Sequence, residues 1–389
     1  LYHSYLEDDI HHEDLKYWMA LKSIDGIGNA SFGPLLKHFR SPANVFSAAV
    51  DELLKIPGIN KKSALAISAF KNWDHILLQM DLLDKMGADV ITWLDERYPA
   101  NLHHIYDRPA FLFVLGHLIE DMIPVSIVGS RNASAYGRFT TDKISRELAL
   151  RGVTIVSGMA RGIDSCAHRS ALAARGKTIA VLGSGLDVIY PQENKKLFDA
   201  IAQNGAVITE YPPGTQPVPY HFPERNRIIS GISYGVVVVE AGVKSGSLIT
   251  ASLAMEQGRD VFAIPGTIDS AHSRGTNSLI KQGAKLIDSI DDILEDVLPQ
   301  LKRPSAQPIQ RQQEMFSDPF SSKEMGKNHE PLPPSCMEIV KTLSQKRIHA
   351  DDIIAAAGLP PAEILSILIT LELKGIIEQH PGKYFSLKK

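Results

Sequence analysis

The sequence has few cysteines, little net charge and no long apolar run. Its 389 residues include two cysteines, Cys166 and Cys336, which fall in different predicted domains and are not expected to pair. So few thiols fit a reducing compartment, and the predicted location is the cytoplasm. No apolar stretch approaches the ~18 residues that span a bilayer, so no membrane association is expected. The formal net charge of −3 excludes a generally basic coat for nucleic acid, and any polyanion site must be a local patch.

The common cofactor motifs are also missing. After Gly129 the next glycine is Gly137, and Gly183-Ser184-Gly185 has no third glycine, so the G-x-G-x-x-G dinucleotide fingerprint is absent. Lys244-Ser245 lacks the preceding glycines of a Walker A loop and a partner for Mg²⁺. The central part of the chain shows no metal-ligand spacing. The sequence therefore argues against NAD and ATP, and predicts no cofactor and no metal.

Composition and periodicity predict three domains and one linker. Residues 1–85 read as a helical domain of the helix-hairpin-helix type, and residues 86–300 as an α/β domain with a parallel sheet. Residues 301–334 are rich in Pro, Gln, Ser and Lys with few large apolar residues, which predicts a flexible linker. Residues 335–389 resemble a winged helix. The predicted fold class is therefore α/β, an extended parallel-sheet core with a helical domain on each side.

The helical domain contains two glycine-punctuated turns between apolar helical runs. These are Ile24-Asp25-Gly26-Ile27-Gly28 and Ile56-Pro57-Gly58-Ile59-Asn60. Such turns can aim backbone N–H groups at a phosphate, although a small helical packing domain would show the same pattern. Asn60 stands where glycine is expected, and asparagine tolerates the left-handed region. The sequence leaves both functions of this domain open.

The central domain alternates apolar strands with amphipathic helices, which predicts a parallel sheet covered on both faces. Two short strands, at 90–93 and 111–115, are predicted in a connecting region before it. The strands of the sheet are predicted at 124–128, 153–157, 177–182, 206–209, 235–240, 260–264 and 285–287. The helices are predicted around 135–150, 163–175, 192–204, 247–258 and 289–297.

Glycine-, arginine- and serine-rich loops follow several of these strands. Ligands of open parallel sheets bind at the carboxyl ends of the strands, where such loops share one rim. Small residues let a bound chain approach the backbone, cations neutralise phosphate, and an aromatic ring can stack on a base. We therefore predict a groove for a polyanion, with no catalytic residue. Its predicted residues are Gly129, Ser130, Arg131, Arg161, Phe222, Arg225, Asn226, Arg227, Lys244, Ser245, Gly246 and Ser247.

Each of these features has a plainer interpretation. An arginine such as Arg131 is often solvated or paired with a carboxylate, and Phe222 could simply anchor its loop in the core. Ser245 or Ser247 could serve only as a helix N-cap. Asp164 and His168, four residues apart, could form an acid/base pair, but a helix N-terminus for Asp164 and a structural position for His168 are favoured.

Six motifs together resemble the DNA processing protein A (DprA/Smf) family, through residues of about 90–290. They are Gly129-Ser130-Arg131, Ser157 to Asp164 with Ala167-His168, Phe222 to Gly231, Ser245 to Ala251, Ile264-Pro265-Gly266 and Gly275-Thr276-Asn277. The resemblance implies an extended Rossmann-like fold for residues 86–300, beside a SAM-like amino-terminal domain. It further implies a non-catalytic protein that binds single-stranded DNA, protects incoming strands during natural transformation and helps load RecA recombinase. It also implies a homodimer and DNA coated by single-strand-binding protein as the target. By the family pattern, Arg131 and the 222–227 and 244–247 loops line the DNA pocket.

Two alternatives remain at this point. The fold also resembles nucleotide-processing phosphoribohydrolases, but their catalytic glutamate lies in the first helical turn, and here the first acid of that helix is Glu256. The other alternative is a protein scaffold with incidental DNA binding.

In the C-terminal domain, three helical runs (335–344, 350–357, 361–374) precede two strands that turn at Pro381-Gly382. The third run carries one cation and two carboxylates, which favours protein interaction or dimer stabilisation over DNA contact.

Overall fold

The structure is a computed structural model that describes residues 12–118 and 122–301 and parts of the C-terminal region. Those parts are residues 348–349, 353, 364, 367–368, 371, 376–380 and 384–387. The chain divides into two compact units, one up to Gln307 and one from Pro308. Among the described residues, no helix is both long and apolar enough to cross a membrane.

Residues 12–86 form the helical segment. Its two glycine turns follow the predicted pattern, with Gly26 at φ +83° and Gly58 at φ +84°, a region that favours glycine. Asn60 is different from the expectation, because its φ is −93° and its side chain caps the next helix by accepting from Ser63 N at 2.9 Å. The helices are α1 (His12–Lys22), α2 (Asn29–Phe39), α3 (Pro42–Ser47), α4 (Val50–Leu53), α5 (Lys61–Ser68) and α6 (Trp73–Met86).

Nine strands of the described residues form one mixed sheet in the order β1-β2-β6-β5-β4-β3-β7-β8-β9. Strands β3 to β9 pair in parallel, and β1 and β2 extend the sheet in antiparallel fashion beside β6. The strands are β1 (Ala88–Thr92), β2 (Phe111–Gly116), β3 (Ile123–Val128), β4 (Val153–Ser157), β5 (Thr178–Val181), β6 (Ala206–Thr209), β7 (Gly235–Val238), β8 (Asp260–Ala263) and β9 (Lys285–Leu286).

Helices cover both faces of this sheet. Successive residues of β7 alternate between two apolar clusters, with Val236 and Val238 in one and Val237 in the other. The helices of this part are α7 (Ala135–Leu150), α8 (Ile163–Ala173), α9 (Lys195–Asn204), α10 (His221–Ile232), α11 (Gly246–Glu256), α12 (Arg274–Lys281) and α13 (Asp291–Leu301). The first cluster buries residues of α9, α10, α11 and α12, and the second buries residues of α7, α8 and α13.

The sequence did not indicate α10 and α12. It treated residues 222–227 as a loop, whereas they form the first turns of α10. A proline in the first turn of a helix is well tolerated because its missing N–H would have no partner there, and Pro223 occupies such a position. This difference determines which way the side chains of α10 point.

The helical segment packs directly against the sheet. Trp18 of α1 stacks on Phe32 at a centroid distance of 5.6 Å and meets Trp93, just after β1, edge-on at 5.7 Å. The buried Asn29 accepts from Ala110 N and donates to Glu210 in the sheet region. One apolar cluster therefore runs from the helical segment into the sheet, and the two predicted domains share a core.

In the second unit, β10 (Ile348–His349), β12 (Tyr384–Leu387) and β11 (Ile377–His380) form an antiparallel sheet in that order. The core includes Ile364, Leu368 and Leu371, which are helical, and Phe385 of β12. Helical residues packed on such a small sheet fit the predicted winged helix. The predicted linker and most of the three predicted helical runs lie outside the described residues.

Replacing Trp18 with Ala should destabilise the sheet as well as the helical segment, because its ring belongs to their shared core. We expect a loss of about 3–5 kcal/mol in the free energy of unfolding, measured by urea denaturation. Tyr106→Ala is the control, since that ring is 98% exposed. An unfolding curve of Trp18→Ala in which the sheet keeps the wild-type midpoint would contradict the shared core.

Candidate functional site

A crevice opens where the strand order reverses. The chain proceeds from β3 to β4, β5 and β6 on one side, whereas β7, β8 and β9 lie on the other side of β3. The loops after β3 and β7 therefore leave the sheet in opposite directions, and ligands of such folds bind between them. A cavity of about 640 Å³ lies there, which we call the switch cavity.

All predicted site residues except Arg161 and Arg227 line the switch cavity. Arg131 comes from the loop after β3, Arg225 from α10 and Lys244 from the loop after β7, so these three cations meet on one side of the molecule. The predicted residues that line the cavity are Gly129, Ser130, Arg131, Phe222, Arg225, Asn226, Lys244, Ser245, Gly246 and Ser247.

Phe222 lies between two arginines. Its ring centroid is 5.5 Å from the guanidinium carbon of Arg131 and 5.9 Å from that of Arg225, within range of cation–π attraction. The ring is half-buried and tilts against Tyr190 at 5.5 Å. Phe222 is therefore anchored by its neighbours and also presents part of its ring to the switch cavity.

Arg225 forms part of the cavity floor. It is 4% exposed, and its Nη1 donates to the carbonyl of Gly158 at 2.7 Å and to that of Val181. Burial lowers the pKa of Arg225 to about 10, so the guanidinium stays protonated at neutral pH. A Cβ at Gly158 would lie 2.7 Å from the Arg225 Cζ, so glycine is needed to admit this side chain. Arg225 is therefore a fixed positive charge beneath the cavity.

Asp164 and His168 do not form an acid/base pair. The buried Asp164 carboxylate accepts from the backbone N–H of Gly158 at 3.2 Å and from that of Ala160 at 3.4 Å. Burial raises the pKa of Asp164, and the nearby Arg225 charge opposes that rise. His168 is buried against Thr178, with Nδ1 2.7 Å from Oγ1, and burial lowers its pKa to about 3. Both residues hold the fold, and His168 does not line the switch cavity.

A buried carboxylate joins the loops on the two sides of the crevice. Glu240, two residues after the end of β7, accepts from Ser134 N at 2.9 Å and from Ser134 Oγ at 2.5 Å. Ser134 is the N-cap of α7 and accepts in turn from Gly137 N at 3.0 Å. The loop that carries Arg131 is thereby fixed to the end of the neighbouring strand.

The start of α11 faces the same cavity. Ser245 caps this helix by accepting from Ser247 N at 3.4 Å, and the two hydroxyls lie 2.8 Å apart. The predicted N-cap role of Ser245 is confirmed. A Cβ at Gly246 would meet nothing within 4 Å, so the fold itself does not require glycine there. A helix N-terminus with this open approach is suited to an anion.

The prediction that five cations converge is wrong for two of them. Arg161 is exposed and forms a two-bond ion pair with Glu193, at 2.9 and 2.8 Å. Arg227 donates to both oxygens of Glu210 at 2.7 and 2.6 Å and lines a different cavity, beneath the helical segment. Because α10 is a helix and not a loop, positions 225 and 227 point about 200° apart.

Several lining residues were not predicted. Asn132 follows Arg131 directly and could have been inferred from its position in the same loop. Thr250 lies on α11 one turn after Gly246. His272 comes from the loop before α12, a helix that the sequence did not reveal. Among the described residues, no group of three or more His, Cys, Asp or Glu could hold a metal ion.

Residues 89–298 match the family model of DNA recombination-mediator protein A. The chain belongs to this family. The family's winged-helix domain matches residues 327–383, and a SAM-like helix-hairpin-helix tandem matches residues 19–69. The predicted family and the predicted α/β fold with two flanking domains are confirmed.

Relatives of the recombination-mediator family align along half of the chain or more. Protein Smf of Synechocystis sp. is 35% identical over 385 residues, which cover 94% of this chain and 97% of that protein. DNA processing protein DprA of Streptococcus pneumoniae is 51% identical over 204 residues, which cover 52% of this chain and 72% of that protein. The chain is therefore a DNA-processing, recombination-mediating protein of this family.

Two solved structures of the same family are similar. DNA processing protein A of Streptococcus pneumoniae aligns with a TM-score of 0.65 at 40% identity, covering 72% of this chain and 98% of that one. DNA processing protein A of Helicobacter pylori aligns with a TM-score of 0.50 at 32% identity, covering 55% of this chain and 96% of that one. The second structure concerns the single-stranded DNA binding mode of that protein.

Replacing Gly137 with Ala should destabilise the chain, because a Cβ there would lie 2.8 Å from Glu240 Oε1 and closer to its Cδ. Displacing the carboxylate breaks its bonds to Ser134, and we expect a loss of about 1–3 kcal/mol in urea unfolding. Gly33→Ala in α2 is the control. A Cβ meets nothing within 4 Å there, and helix propensity should make that variant about 1 kcal/mol more stable. Equal gains in both variants would contradict a fixed position for Glu240.

Proposed function

We propose that this chain binds single-stranded DNA in the switch cavity with little sequence preference, and that it mediates recombination without catalysing a reaction. The observation that carries the proposal is the position of Phe222 between Arg131 and Arg225 beside the start of α11. An aromatic ring, mobile and fixed cations and free helix amides are the components of a site for an unpaired strand.

The division of roles follows from exposure. Arg131 and Lys244 are exposed and can follow a phosphate, whereas Arg225 is held by carbonyls and gives the cavity a constant positive potential. The half-buried ring of Phe222 offers a face to a base. Every base has a π-face, so such stacking tolerates any sequence. In a duplex the faces of the bases are already stacked, and the proposal is therefore for unpaired DNA.

The absence of catalysis is proposed from the state of Asp164, the one carboxylate among the described residues that line the cavity. Its oxygen accepts from two backbone amides and faces a buried arginine, so it is engaged in holding the loop. Glu256 ends α11 and does not line the cavity. Release of free base from nucleoside monophosphates would contradict this part and revive the hydrolase alternative.

The wider role is proposed from the family. The Helicobacter pylori relative, with its single-stranded DNA binding mode, supports unpaired DNA as the ligand. We propose in addition that the chain protects incoming strands during natural transformation, acts as a homodimer in the cytoplasm and helps load RecA recombinase onto DNA coated by single-strand-binding protein. These roles are proposed from the chain's membership of the recombination-mediator family.

Replacing Arg131 with Gln should weaken oligo-dT binding and reduce its salt dependence. The slope of log K against log salt changes by about 0.7 for each phosphate contact that is lost. Fluorescence anisotropy over a salt series measures both quantities. Arg161→Gln is the matched control, because it removes the same charge from a residue paired with Glu193 outside the cavity. A larger loss with Arg161→Gln than with Arg131→Gln would contradict the assignment to the switch cavity.

Replacing Phe222 with Leu should weaken binding and leave the salt slope unchanged. Leucine retains apolar packing beneath Tyr190 but removes the π-face, and stacking is worth about 1–3 kcal/mol per base. The same salt series provides the measurement. A variant that changes the slope as Arg131→Gln does, or one that binds as the wild type does, would show that no base stacks on this ring.

A further inference from the structure

A second groove of about 620 Å³ begins where the switch cavity ends. We call it the arginine groove, and it is formed by the loop after β3 and by α7 and α8. Four arginines line it, together with one carboxylate: Arg131, Arg138, Arg146, Arg169 and Asp142. Of these five residues, only Arg131 also belongs to the proposed site in the switch cavity. Such an excess of positive charge in one groove favours a polyanion.

Most of these guanidinium groups are not neutralised. Within the described part of the chain, Arg146 alone among the four forms an ion pair, with Asp142 at 3.1 Å. Arg138 donates to the carbonyl of Ala133, and Arg169 donates to the side-chain oxygen of Asn194 at 3.2 Å. Both partners are neutral acceptors, so each arginine keeps its full charge and further N–H donors.

The groove is elongated along α7. Positions 138, 142 and 146 are four residues apart, so they lie on one side of the helix, and the two arginines are separated by about 12 Å along its axis. A stacked strand carries one phosphate per ~3.4 Å, so that distance corresponds to between about three and four phosphate spacings. Phe139, the next residue of α7 after Arg138, is 71% exposed.

The arginine groove and the switch cavity share Arg131 and Asn132. The switch cavity adjoins α10 and α11 on one face of the sheet, and the arginine groove adjoins α7 and α8 on the other. The two therefore meet over the carboxyl edge of β3. There the loops touch closely, since a Cβ at Gly162 would lie 2.6 Å from the carbonyl oxygen of Arg131. A strand that passes over this edge would meet the exposed side chains of Arg131 and Asn132, which line both cavities.

We infer that the arginine groove holds the sugar-phosphate backbone of the same unpaired strand after it leaves the switch cavity over the edge of β3. The inference rests on the proposed function and extends its site to Arg138, Arg146 and Arg169. The switch cavity then takes the base on Phe222, and the arginine groove supplies phosphate contacts that need a longer strand.

The test compares two lengths of oligo-dT, about 4 and about 16 nucleotides, the range that a single-strand-binding module covers. Arg146→Gln and Arg169→Gln should each weaken the long oligonucleotide about threefold to fivefold, the effect of one exposed charge pair. The salt slope for the long strand should fall by about 0.7 in each variant, and binding of the short strand should not change. Lys143→Gln is the matched control, because Lys143 is an exposed cation on α7 outside the groove.

Asp142→Asn should have the opposite effect on the affinity for the long oligonucleotide. The substitution removes the negative charge of the groove. It keeps a side-chain oxygen that can accept from Ser170 Oγ, which donates to Asp142 at 2.6 Å in the wild type. The long oligonucleotide should bind about threefold more tightly to this variant, and the short one should bind as before. Circular dichroism and thermal unfolding of each variant show whether the fold is retained.

The failures are distinguishable. If the wild type binds neither oligonucleotide, the proposed function itself is wrong. If it binds both with the same affinity and slope, or if the groove variants match Lys143→Gln, the switch cavity remains the DNA site and the inference about the arginine groove is overturned.

Discussion

The buried carboxylate of Glu240 is the interaction on which the site depends. Parallel pairing of β3 with β7 brings two strand ends together, but their loops leave in opposite directions and would separate without a link. Glu240 provides that link through Ser134, which caps α7. Burying a charge is unfavourable unless hydrogen bonds replace its hydration, and here the backbone and the hydroxyl of Ser134 do so. The crevice is therefore preformed, and a ligand does not have to organise it.

A second set of hydrogen bonds, under the crevice, holds the positive charge of Arg225 in place. Arg225 reaches from α10 to the carbonyls of Gly158 and Val181, at the ends of β4 and β5. The Asp164 carboxylate holds the loop after β4 by accepting from the backbone N–H of Gly158. Four strand ends thus support a cavity whose exposed cations remain free to move. This separation of a rigid floor from adaptable walls suits a ligand with a regular backbone and variable bases.

The sequence predicted the sheet well and the site in large part. Apolar runs of β-branched residues such as Val236–Val239 are typical of buried parallel strands, and the rule that ligands gather at their carboxyl ends then selects Arg131 and Lys244. Helix α10 was missed because Pro223 and Gly231 interrupt its apolar pattern, and only three-dimensional packing on the sheet defines it. The same omission misplaced Arg227. The pairing of Arg161 with Glu193 could not be read either, since it joins residues 32 positions apart across separate elements.

Helix α10 acts as a partition between two compartments. One side presents Phe222 and Arg225 to the switch cavity, and the other presents Glu224 and Arg227 to the cavity beneath the helical segment. Its residues Ile228 and Ile232 are fully buried, so the helix has little freedom to shift on one side alone. The amino-terminal helices therefore support α10 on the side away from the switch cavity. Substitutions at Arg227 or Glu210 would alter the position of α10, and with it the switch cavity, although neither residue lines that cavity.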